Sequence, residues 1–206
     1  DSFPEKDTLQ TAYEIFENNS DIGLLTCGIK NYNTHINKNE IISKNIILEN
    51  ALTWSGCGGF FLKSLFDKYG PWDEDPPRMG HYENMTMIWT LNEEKRIVSS
   101  ANIFVYHKVS NAGDGGIFRY ENATIIDEVY AQYYFIIKYF NIADTFKRLY
   151  EINSILTLST IENKSFIFFK AFALVIKNLK KIIKSRNPYP KKITDLIRTT
   201  NCFRGK

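Results

Sequence analysis

A cluster of glycines, several carboxylates and a histidine that closes the run fall within one stretch of this chain, from Trp54 to His107. Gly56, Gly58 and Gly59 sit almost side by side, and backbone without Cβ atoms lets a ligand come close. Phe60, Phe61, Leu62, Leu65 and Phe66 follow them, with the bulk to bury against a core and hold that backbone still. Further on come Asp73, Glu74, Asp75 and Glu83, and then His107. A carboxylate beside such a platform can take a proton from a hydroxyl. Imidazole and carboxylate together suit Mn²⁺ or, with more oxygens or waters, Mg²⁺. Each residue also has a plainer reading. Glu83 in a first helical turn complements the positive helix end, Asp73 and Glu74 make an acidic turn, and His107, like His35 and His81, is a surface histidine.

The elements that must position these groups follow from the apolar spacing. Asp1-Ser2-Phe3-Pro4 reads as a loop leading into a helix near Pro4, whose stripe is Leu9, Ala12, Tyr13, Ile15 and Phe16. Asp21 to Ile29 is a short apolar run bounded by polar turns, and so a buried strand. Asn31 to Asn50 is polar and reads as a loop or an irregular hairpin. Ala51 to Cys57 is expected as the strand carrying the glycines, and Lys63 to Tyr69 as a helix stopped by Gly70-Pro71. Tyr82 to Glu94 has Met85, Ile88, Trp89 and Leu91 on one side, which places Glu83 in the first turn of a helix. Arg96–Ser99 and Asn102–Tyr106 read as two strands, with His107 just past the second. Asn111 to Gly116 is glycine-rich and suits a lid. From Tyr120 to Lys184 three helices are expected, at 120–141, 144–161 and 165–184.

The ordered set resembles the second half of the inverting, GT-A-type glycosyltransferases of family 2, especially the rhamnosyltransferase-like members. Those enzymes carry a glycine-rich acceptor segment and then a Lys/Arg, Phe and Gly segment ending in a Phe-Asp-Glu turn. An acidic pair on a helix and a strand ending in His follow. The counterparts are Gly58-Gly59, Lys63 to Gly70, Trp72-Asp73-Glu74, Glu83 and Tyr106-His107, and the likeness runs from Asp1 to about Asn141. It implies an α/β, Rossmann-like GT-A (nucleotide-diphospho-sugar transferase) domain, partly contained in 1–116, and a helical extension over 117–206. It further implies transfer of a hexosyl or deoxyhexosyl unit from a nucleotide-diphosphate sugar to a surface-glycan or lipid-linked acceptor. Glu83 would be the catalytic base, with Trp54, Gly58, Gly59, Asp73 and Glu74 at the acceptor. Asp1 and His107 would meet the donor diphosphate and its Mn²⁺ or Mg²⁺. Asp1 would then be the last aspartate of an Asp-x-Asp motif, so that the chain would begin inside a domain. The acidic pair is not intact, being Tyr82-Glu83 or Glu83-Asn84 according to the alignment. That departure keeps a second reading open, a non-catalytic glycan-binding or degenerate homologue.

Composition narrows the field. With 206 residues, 44% of them hydrophobic, the chain can build a substantial core and is not of the disordered type. A net charge of +3 is too small to argue for nucleic acid, and the basic and aromatic residues of the tail follow helical spacing and make no stacking platform. Cys27, Cys57 and Cys202 are odd in number and form no Cys-x-x-Cys pair. Neither a disulfide framework nor a zinc site is expected, and a reducing, cytoplasmic compartment fits. No apolar run reaches the roughly 20 residues of a spanning helix. The segment 165–184 mixes bulky apolar side chains with lysines. It suits either a helix packed on the catalytic domain or peripheral contact with the inner membrane face.

Overall fold

The computed structural model describes residues 2–32, 46–51, 56–73, 75, 81–107, 122–163 and 166–199. Asp1, Trp54, Glu74 and the glycine-rich segment 111–116 lie outside the described residues. The chain packs as two units: Asp1–Trp72 with Glu83–Asp114 and Thr200–Lys206, and Asp73–Tyr82 with Gly115–Thr199.

The first unit is a mixed α/β layer. In chain order it holds β1 (Ser2–Pro4), α1 (Thr8–Asn18), β2 (Ile22–Asn31), β3 (Glu49–Asn50), β4 (Gly59–Phe61) and α2 (Lys63–Tyr69). Then come α3 (His81–Asn92), which enters this unit from Glu83 onward, and β5 (Arg96–His107). The sheet order is β1-β5-β2-β4, with β3 also on β5. β2 and β5 run parallel, and every other pairing is antiparallel. Side chains alternate across the strands, and each face finds its own cover. Leu25, Val98 and Val105 pack with Ala12 and Ile15 of α1, whereas Leu24 and Ile97 pack with Met87 of α3.

Two sequence expectations change here. Ser2–Pro4, read as a loop, is a strand, because it finds the edge of β5 with Ser2 opposite His107. The two strands expected at 96–99 and 102–106 are one strand. Its pairing with β2 shifts between Cys27 opposite Ser100 and Gly28 opposite Phe104, so Ala101–Ile103 form an irregularity within a continuous ladder. The glycines are also placed differently. Gly56, Cys57 and Gly58 form turns, and the strand begins only at Gly59.

α3 carries the aromatic centre of the unit. Trp89 is buried, stacked on Trp72 at 6.2 Å and on Tyr69 at 6.1 Å, while Phe66 meets Trp72 edge-on at 5.1 Å. The Trp72 indole N–H donates to the Thr86 hydroxyl at 3.0 Å, giving the one polar atom of that ring a partner.

The second unit contains α4 (Asn122–Tyr139), α5 (Ile142–Asn163), α6 (Ile167–Lys184) and α7 (Lys191–Thr199). Most of the second half of α4, from Val129 to Ile137, is buried, with Gln132 half-buried, as a largely apolar helix must be. Its terminal carbonyls are taken up by Arg186, whose guanidinium donates to Ile137 O at 2.6 Å and Phe140 O at 2.7 Å. Asn141 caps α5 by accepting the Asp144 N–H at 3.0 Å. Among the described residues no helix is long and apolar enough to cross a membrane.

A Cβ on Gly23 would meet Thr90 Cγ2 at 2.8 Å and Lys95 Cβ at 2.9 Å, so β2 can pass the end of α3 only as glycine. Gly23→Ala is expected to destabilise the protein by about 1–3 kcal/mol through overpacking. The urea unfolding midpoint checks this.

Candidate functional site

The glycine turn is tied to β2. The Cys27 N–H donates to the Gly58 carbonyl at 2.7 Å, and Gly59 pairs with Thr26. A Cβ on Gly58 would stand 3.1 Å from Ile29 Cγ1 and 3.5 Å from the Cys27 carbonyl. The close approach that glycine permits at position 58 is therefore to the neighbouring strand. Gly56 is exposed, and its N–H donates to a carboxylate oxygen of Glu83, 27 residues further on. Glu83 lies in the first turn of α3, half-buried. An acid at that position complements the positive helix end.

His107 is the last residue of β5, half-buried, and level with Asn31 of β2 and Ser2 of β1. The glycine turn precedes β4, level with Cys27 of β2. His107 therefore lies at the carboxyl ends of the parallel strands, the side on which α/β sheets bind ligands, while the glycine turn stands level with the middle of β2. Strand spacing and rise put their backbones about 15 Å apart. An aromatic group neighbours His107: the rings of Phe3 and Tyr106 are 5.5 Å apart, and those of Phe3 and Tyr32 are 5.1 Å apart. Phe3 is 42% exposed, so this group puts apolar ring surface at that end of the sheet, on the face opposite the His107 side chain. Sequence reading missed it because Phe3 and Tyr32 reach Tyr106 only through the sheet.

Asp73 is engaged within the helical unit. One oxygen of its carboxylate accepts from the Tyr134 hydroxyl at 2.7 Å, the Tyr139 hydroxyl at 2.9 Å and the Lys138 ammonium. Burial pushes its pKa up, but the hydrogen bonds from Lys138, Tyr134 and Tyr139 outweigh that and hold it below the ordinary aspartate value. Burial, with Asp73 beside them, drives the two tyrosines up. All three donors lie in the last turns of α4, so this carboxylate ties the segment after Trp72 to that helix. The tyrosine-rich run from 130 to 139 was the available signal for such a cluster. What it bound could not be read from spacing.

The thiol of Cys27 is buried, which raises its pKa to about 12, and neither Cys27 nor Cys57 is in a disulfide. Such a thiol is inert as a nucleophile. Among the described residues no three His, Cys, Asp or Glu side chains converge as a metal cage. His107 does not make an Mn²⁺ or Mg²⁺ site on its own, and Asp1 is outside the described residues. Compared with protein-family models, curated proteins and solved structures, the chain matches none.

Removing the Asp73 carboxylate leaves the Lys138 ammonium without its counter-charge. Both side chains keep some exposure, 16% and 13%. Asp73→Ala is therefore expected to cost about 2–4 kcal/mol, somewhat less than for a fully buried pair. Because the folded carboxyl titrates below its unfolded value, its contribution is complete above that value, about pH 3.9. It is lost as the pH falls through the folded pKa. Melting temperatures of wild type and Asp73→Ala should differ most at neutral pH and converge below about pH 4.

Proposed function

We propose that this chain forms the acceptor side of an inverting glycosyltransferase of the GT-A, family 2 type. In this reading it moves a hexosyl or deoxyhexosyl unit from a nucleotide-diphosphate sugar to a surface-glycan or lipid-linked acceptor. The observation that carries it is Glu83, a carboxylate in a first helical turn and hydrogen-bonded to Gly56 of the glycine turn. The order of glycine segment, Trp72-Asp73, Glu83 and Tyr106-His107 along the chain supports the same reading.

The reaction needs a proton acceptor beside the acceptor hydroxyl. A carboxylate has about four lone-pair sites, so accepting one backbone N–H leaves capacity for a hydroxyl proton. Glu83 takes that proton as the acceptor oxygen attacks the anomeric carbon from the face opposite the diphosphate. The bond from the anomeric carbon to the diphosphate oxygen breaks, and the electron pair leaves with the nucleoside diphosphate. The anomeric configuration inverts. His107, at the carboxyl end of the sheet, faces the donor diphosphate in this scheme. Asp73, which the resemblance sets at the acceptor, has its carboxylate held by Lys138 and two tyrosines of α4. A divalent ion would shield the diphosphate charge, with Asp1 and His107 as its ligands in this reading. The described residues do not complete that ligand set, and no step here runs through it.

A specific observation favours the other reading, a non-catalytic glycan-binding homologue. Gly58 is explained by its contact with Ile29, and Tyr82 or Asn84, according to the alignment, stands beside Glu83 where the family has a second acid. Glu83→Gln separates the two, since glutamine still accepts the Gly56 N–H but takes no proton. In the natural polypeptide, turnover with nucleotide-diphosphate sugars is expected to fall roughly 10²–10⁴-fold with donor affinity unchanged. Normal turnover in Glu83→Gln would remove Glu83 as the base, whereas no turnover in the wild type would leave the non-catalytic reading standing.

A further inference from the structure

α6 presents two different rows to solvent. Phe169, Phe172, Ile176 and Ile183 are 60%, 43%, 55% and 52% exposed. Lys170, Lys177 and Lys184 each follow one of these apolar residues directly, in a seven-residue repeat, and Lys180 lies between the rows. One residue turns an α-helix by about 100°, so the lysine row runs along the flank of the apolar row. The inward seam is already filled by Ala171, Val175 and Ile182, all buried. Phe172 also meets Tyr133 edge-on at 6.0 Å, and the rest of the outer apolar row is left over from core packing.

The charges are one-sided. α6 contains no aspartate or glutamate. Lys181 pairs with Asp75 of the same unit, but among the described residues no carboxylate pairs with Lys170, Lys177, Lys180 or Lys184. Exposed bulky apolar side chains beside unpaired lysines match a surface that is anionic outside and apolar beneath. We propose that this face of α6 docks on an anionic phospholipid bilayer. Phe169, Phe172, Ile176 and Ile183 enter the headgroup boundary, and the four lysines bend their stems to reach lipid phosphates. The helix lies in the interface plane, in keeping with the absence of a crossing helix among the described residues. The proposal stands apart from the sugar-transfer reading, because docking needs neither donor nor acceptor.

Flotation of the full chain with vesicles tests it. Vesicles of phosphatidylcholine with about a third phosphatidylglycerol should carry the protein upward, and pure phosphatidylcholine vesicles should do so far less. Each lysine of the row replaced by glutamine should weaken partitioning roughly 5-fold, and all four together several hundred-fold. Lys63→Gln, an exposed lysine of the sheet unit, should change nothing. Phe169→Ser should weaken binding roughly 10-fold or more at equal charge. Circular dichroism confirms that each variant keeps its helices. Three results would overturn the proposal: no flotation of wild type with the anionic vesicles, equal losses for Lys63→Gln and Lys180→Gln, or a wild-type dimer in light scattering that Phe169→Ser makes monomeric without changing flotation.

Discussion

A parallel pair of strands can be stable only if both of its faces are covered, since its connections cross over the sheet rather than along its edge. β2 and β5 are such a pair, and the sheet unit is arranged around meeting that demand. α1 closes one face over Leu25, Val98 and Val105, and α3 closes the other over Leu24 and Ile97. The irregularity at Ala101–Ile103 keeps both halves of β5 on β2. It lets β3 pair with the first half and β1 with the second, along one edge. His107 reaches the carboxyl end of the sheet because this ladder does not break.

The glycine turn and Glu83 depend on the same framework at one remove. β4 is short, but its pairing with Leu24–Thr26 fixes where the preceding turn stands. α3 is fixed by the Trp89 stack, with Tyr69 and Trp72 against it. Glu83 begins that helix and meets the Gly56 N–H at the turn. A carboxylate so placed is held in orientation by backbone, which is what proton transfer asks of a base.

In the helical unit the governing feature is a charge placed among tyrosines. A half-buried carboxylate is tolerated only with a counter-charge and hydrogen bonds, and Asp73 has Lys138, Tyr134 and Tyr139. Its neighbour Asp75 pairs with Lys181 of α6. The same short segment thus binds two helices through two acids. On α6 the pairing engages one lysine and leaves the other four beside the exposed apolar side chains.

What the sequence determined by itself is local. The stripe of Leu9, Ala12, Ile15 and Phe16 gives α1, the run from Asp21 gives β2, and the spacing after Tyr120 gives the helices that follow. Hydrophobic periodicity fixes these because both partners of a helical hydrogen bond lie within one turn. The sequence also placed Glu83 in a first helical turn and the carboxylates, glycines and His107 in one stretch. Only the tertiary structure decided that Ser2–Pro4 is a strand, since β5 supplies its hydrogen bonds from about a hundred residues away. It alone decided that Gly58 packs on Ile29, that Glu83 meets Gly56, and that Asp73 answers to three donors 61–66 residues further on. On α6 the sequence held two apolar rows of similar character. Which of them became core and which faced solvent was set by the packing of Ala171, Val175 and Ile182, because burial depends on neighbours that periodicity does not name.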